Sequence, residues 1–141
     1  MILVDINVVS EPWKPNPDPH VLAWLDAQAV ETLYLSAITV AELRFGIAAL
    51  PVGKRRNVLD DRLERTLLPL FATRVLPFDL AATKMYADLM AHARSTGKAV
   101  GQADGYIAAI AAAHGLIVAS RDTTPFEAAG LEVINPWSFR S

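Results

Sequence analysis

Four carboxylates, Asp5, Glu42, Asp104 and Asp122, stand where a charged side chain needs a reason. Asp5 ends the continuously apolar run MILV, and Asp122 follows a second such run, LIVA at 116–119, through Ser120 and Arg121. An ionised carboxylate is costly to bury unless something pairs with it. Glu42 closes TVAE at the opening of a helical pattern. Asp104 lies in the first turn of GQADGYIAAIAAAHG, a helix so poor in charge that most of its surface must be buried. Each acid alone has a bland explanation: a helix dipole favours an acid in its first turn by ~0.3–1 kcal/mol, and Asp is a common turn residue. Together the four would repel one another if they met at one sheet edge, and a divalent cation would remove the repulsion. Oxygen donors without cysteine, and with His20, His92 and His114 scattered, suit Mg²⁺ or its substitute Mn²⁺ better than zinc.

The elements that must position these acids alternate between strand and helix. Residues 1–4, 33–36, 75–78 and 116–119 predict short apolar strands. Between them, Asp18-Pro19 opens a helix with Val21, Leu22, Trp24 and Leu25 on its apolar face. Thr39 to Glu42 reads as a capping box for a helix through Leu43, Ile47 and Leu50, stopped by Pro51 and Gly53. A further helical pattern covers 54–71, with Lys54, Arg55, Arg56, Arg62 and Arg65 on its polar side. Asp79 caps a helix reading Ala81, Met85, Leu89 and Ala93, with Gly97 after its end. A helix from Gln102 to His114 ends at Gly115. EPWKPNPDPH at 11–20 carries four prolines and predicts a surface connection. Apolar strands alternating with helices imply a mostly parallel sheet covered on both faces, an α/β fold whose ligands bind beyond the carboxyl ends of the strands. Asp5 and Asp122 stand at two such ends.

Composition sets the limits. A chain of 141 residues, 52% hydrophobic and 20% charged, suits a single domain over 1–141 with one substantial core. The absence of cysteine removes disulfides and thiol chemistry, and it points to a reducing, cytoplasmic setting. No secretory signal and no membrane-spanning run is expected. A net charge of −2 argues against gripping nucleic acid by bulk electrostatics, so any such chemistry must be local.

The ordered set MILVDINVVSEP, LSAITVAELRFGI, ADGYIAAIAAAHGLIVASRD and INPW resembles the PIN-domain ribonucleases, and within them the VapC-like toxins of toxin–antitoxin modules, FitB-type members above all. The resemblance covers nearly the whole chain. It implies a PIN-like three-layer α/β/α domain and a Mg²⁺-dependent endoribonuclease. Asp5, Glu42, Asp104 and Asp122 would form the catalytic cluster, with Asp5, Asp104 and Asp122 holding metal. It also implies an RNA substrate, a homodimer and inhibition by a small DNA-binding antitoxin. Ile6 departs from the family, which usually carries a small hydroxyl residue there, and Asn7 and Ser120 remain as polar supports. Arg44 and Arg121, each close in sequence to a proposed acid, could flank the cleft. A dehalogenase-like phosphatase would want a second acid at Asn7, and a receiver domain would want lysine where Arg121 stands. The remaining alternative is an interaction module that binds an antitoxin with weak or no nuclease activity.

Overall fold

The computed structural model describes residues 1–140. Its strands are β1 (Ile2–Val4), β2 (Leu33–Ser36), β3 (Val75–Leu76), β4 (Ile117–Ala119) and β5 (Val133–Ile134), paired in the order β3-β2-β1-β4-β5. Every pairing is parallel, with Ile2 opposite Leu33 on one side and Ile117 on the other. Helices α1 (Ile6–Val9), α2 (Pro19–Asp26), α3 (Ala37–Ala48), α4 (Lys54–Asp61), α5 (Leu68–Phe71), α6 (Leu80–Ser95), α7 (Gln102–His114) and α8 (Thr124–Ala128) cover the sheet. Because side chains alternate along a strand, β1 feeds two cores. Ile2 and Val4 pack with Val8, Val21, Trp24 and Leu63 in one layer, whereas Leu3 packs with Leu89, Ile107, Ile110 and Phe126 in the other. The result is the expected three-layer α/β/α arrangement. Full burial of residues such as Leu3, Leu35 and Val118 contributes about 1.5–3 kcal/mol each before entropy is counted.

Several expectations are corrected. The helix carrying Glu42 starts earlier than a Thr39 cap allows: Ser36, the last residue of β2, caps α3 by accepting the Thr39 N–H at 3.0 Å. Glu42 therefore falls in the second turn and caps nothing. The pattern at 54–71 is not one regular helix, because a π-helical stretch, Arg62–Leu67, separates α4 from α5. Pro69 accounts for this, since it lacks an N–H and its ring crowds the carbonyl four residues back, which a widened turn relieves. The strand at 75–78 is cut to two residues, as Pro77 cannot donate to a ladder. The buried face of α6 is Ala82, Leu89 and Ala93, rotated from the expected stripe, and Met85 is exposed. Neither α8 nor β5 is signalled in the sequence, for both are very short. Gly97 and Gly115 do take the left-handed conformations (φ 72° and 64°) that end α6 and α7.

Candidate active site

Leaving β1, the chain builds β2 and β3 on one side of it and then returns to build β4 and β5 on the other. The connections that follow β1 and β4 diverge at this reversal, and a crevice opens beyond the strand ends. Asp5 follows β1 and Asp122 lies just past β4. The Asp5 N–H continues the ladder to the Ala119 carbonyl at 2.9 Å, and Asp5 then caps α1, its Oδ1 accepting the Ile6 N–H at 2.9 Å. Its Oδ2 accepts the hydroxyl proton of Ser120, also at 2.9 Å, and Ser120 is fully buried. Asp104 enters in the first turn of α7, one residue before Gly105. A Cβ on Gly105 would come within 2.8 Å of the Met90 sulfur and 3.1 Å of Tyr86, so the glycine lets this end of α7 sit against α6.

Electrostatics ties the four acids together. Burial pushes the Asp5 carboxyl above its ordinary range; the bonds from Ile6 and Ser120 oppose this, and Asp122 adds to it. Glu42 is raised by burial, then by Asp5 and Asp104. Asp104 is raised by burial, then by Asp5 and Asp122. No cation figures among the groups acting on these three carboxyls. In addition, Glu42 Oε1 is buried with no hydrogen-bond partner. The structure thus brings Asp5 and Asp104 within electrostatic reach of each other and of both Glu42 and Asp122, although among the described residues no three acidic or histidine side chains close into a ready-made ligand set. An orphaned carboxylate oxygen, an all-oxygen donor set and uncompensated repulsion fit a hard divalent cation.

The flanking residues sort differently from the sequence expectation. Arg44 is turned to Glu64, with Nε and Nη2 donating to its two carboxylate oxygens at 2.9 and 3.1 Å. Arg121 lies over the Trp137 ring, 5.1 Å from its centroid, and its N–H donates to Asn7 Oδ1 at 3.3 Å. Trp137 is itself set by Asn135, whose Oδ1 accepts the Trp137 N–H at 3.0 Å. The INPW sequence therefore anchors the segment that carries Asp122. Glu11 has no signal in the sequence beyond a charge between Ser10 and Pro12. It is buried, with Oε1 2.9 Å from Lys14 Nζ and Oε2 accepting the Asp18 N–H at 2.9 Å.

A PIN domain model matches residues 2–131. The chain belongs to the PIN-domain family, on its VapC-like branch. It is 67% identical over 137 residues to VapC ribonuclease Y4jK of Sinorhizobium fredii, spanning 97% of this chain and 98% of that protein. Toxin FitB of Neisseria gonorrhoeae is 56% identical, spanning 97% of this chain and 99% of its own. A chain in the crystal structure of FitAcB from Neisseria gonorrhoeae superposes with a TM-score of 0.96 at 55% identity, covering 99% of this chain and 100% of that one. No described helix is long and apolar enough to cross a membrane.

Proposed function

We propose that this chain is a divalent-metal-dependent endoribonuclease and the toxin of a toxin–antitoxin pair, acting on RNA in the cytoplasm. The supporting observation is that the carboxyls of buried Asp5 and half-buried Glu42 and Asp104 are held above their ordinary range by burial and then by neighbouring acids, with no cation beside them. Asp5, Asp104 and Asp122 are the residues to hold Mg²⁺ or Mn²⁺. A divalent ion held there would supply an activated water and would neutralise charge developing on the phosphate. Ser120 fixes the orientation of the Asp5 carboxylate through its hydroxyl. Glu42, with its unpartnered oxygen, is the group to accept a proton from the attacking water.

The partner reading draws on the relative named toxin FitB and on exposed apolar residues of this chain. Phe45, Val52 and Leu80, 76%, 89% and 86% exposed, leave apolar side chains open to a partner, which the reading takes to be a small DNA-binding antitoxin or a second copy of the chain. Ile6, in the position of a hydroxyl residue, favours a second reading in which partner binding dominates and cleavage is weak. One experiment separates the two. Purified chain free of partner is incubated with total RNA and with tRNA in Mg²⁺, Mn²⁺ or EDTA. Fragments are expected only with metal. Cleavage that survives EDTA contradicts the metal-dependent reading, and intact RNA under every condition favours the interaction module.

A further inference from the structure

We propose that the groove between Trp13 and α4 is the path of single-stranded RNA, with Lys54, Arg55 and Arg62 holding phosphates and Trp13 stacking on a base. This rests on the ribonuclease reading and names where the substrate strand lies. Two adjoining hollows, of about 240 and about 500 Å³, share Trp13, Arg55 and Leu59 as a common wall. The inner one reaches Glu42, and the outer one ends at Lys54 and Arg62. A strand lying along them would run from the carboxylate edge outward over α4.

Charge selects the occupant. Among the described residues Arg44 and Arg65 are spent on Glu64 and Asp61, whereas Lys54, Arg55 and Arg62 are exposed and in no ion pair. On a chain of net charge −2, three free cations along one trough leading to Glu42 complement a phosphate backbone. The half-buried Trp13 is packed against the core below and lines both hollows above. An aromatic ring held by the core and lining an open trough offers a base a surface to stack on, whatever the base. The cations and the ring supply phosphate contact and stacking side by side, which a protein segment would not need together.

The test measures fluorescence anisotropy of a short, unstructured, labelled oligoribonucleotide, in EDTA to prevent cleavage, across a salt series. The triple variant Lys54→Gln, Arg55→Gln, Arg62→Gln should bind at least about tenfold more weakly, and the slope of log affinity against log salt should shrink by about 0.7 per cation removed. Trp13→Leu should lose about tenfold in affinity with its slope unchanged, and Trp13→Phe should recover most of that loss. The substituted cations are exposed, so the triple variant carries the test even if Trp13→Leu fails to fold. If wild-type protein cleaves RNA with Mg²⁺ and binds the oligomer while the triple variant binds equally well, the groove is not the path, though the ribonuclease reading stands. If wild type neither binds nor cleaves, both are overturned. A triple variant that binds RNA normally but no longer retains a co-expressed protein partner would assign the groove to that partner and overturn the proposal.

Discussion

Asp5 and Glu11 are both buried carboxylates in the same short stretch after β1, 5% and 3% exposed, yet they are opposites electrostatically. Glu11 is answered on both oxygens. Lys14 first, and then the Asp18 N–H, hold its carboxyl below the usual range, and these contacts tie down the proline-rich segment. Asp5 also accepts two hydrogen bonds, but burial and Asp122 outweigh them and its proton affinity rises. Burial of an acid therefore does not mark a site. What marks it is burial without a neutralising cation, because only then does the fold retain a charge that another ion can satisfy.

The largest expected effects cross over between the two regions. Asp104→Asn should lower metal-dependent RNA cleavage by about a hundredfold or more, and its thermal stability should hold or rise, because a ligand and a repulsion are lost together. Glu11→Gln should do the reverse. Its cleavage per folded molecule should stay near wild type, while stability falls by about 0.5–1.5 kcal/mol, because the amide oxygen can still accept the Asp18 N–H but the charge on that bond and the Lys14 pair are lost. Initial rates normalised to folded protein, with denaturant melts alongside, check both. A Glu11→Gln variant that is stable but inactive would erase the distinction.

Ser120→Ala sharpens the comparison at a smaller scale. It removes the hydroxyl that donates to Asp5 Oδ2, so Asp5 should bind its proton more tightly and metal should be needed at higher concentration. Cleavage at limiting Mn²⁺ should fall roughly tenfold and recover in part as Mn²⁺ is raised. Loss of activity that no Mn²⁺ concentration restores would mean the serine acts otherwise.

The smallest effect is in the pH dependence of folding without metal. For Asp5, Glu42 and Asp104 the folded-state pKa lies above the unfolded value, so the native state binds more protons. Their contribution is present below the unfolded pKa, about 4, and is lost as pH rises through the raised values. Glu11 has the opposite sign, its contribution being present above the unfolded pKa and lost as pH falls through the lowered one. In melts from about pH 3 to 8, Asp104→Asn should flatten the decline on the alkaline side and Glu11→Gln the loss on the acid side. Identical profiles for the two variants would remove the electrostatic basis of the comparison.

Apolar runs ending in acid reveal β1, β4, Asp5 and Asp122, because a parallel strand buried on both faces leaves no other use for such a run. Asp104 was visible against its alanine-rich helix for the same reason. Only the cap at Glu42 misleads, since Thr39-x-x-Glu has the form of a capping box while Ser36 makes the actual bond at the strand end. Glu11 was hidden because its partners, Lys14 and the Asp18 backbone, come together only when the proline-rich segment turns back on itself. Arg44 misled because its sequence neighbour is Glu42 while its spatial partner, Glu64, stands on the π-helical stretch that Pro69 explains. Short edge elements such as β5 carry too few residues to show a period.

An edge of Asp5, Glu42, Asp104 and Asp122 that takes up a divalent ion, beside a buried Glu11 that does not, should be visible in direct binding. Calorimetric titration of Mn²⁺ into folded wild-type, Asp104→Asn and Glu11→Gln protein at one pH tests it most directly. The account predicts saturable binding to wild type and Glu11→Gln with similar affinity, and binding weakened by about tenfold or more in Asp104→Asn. Equal binding by all three, or weakening in Glu11→Gln alone, would contradict it.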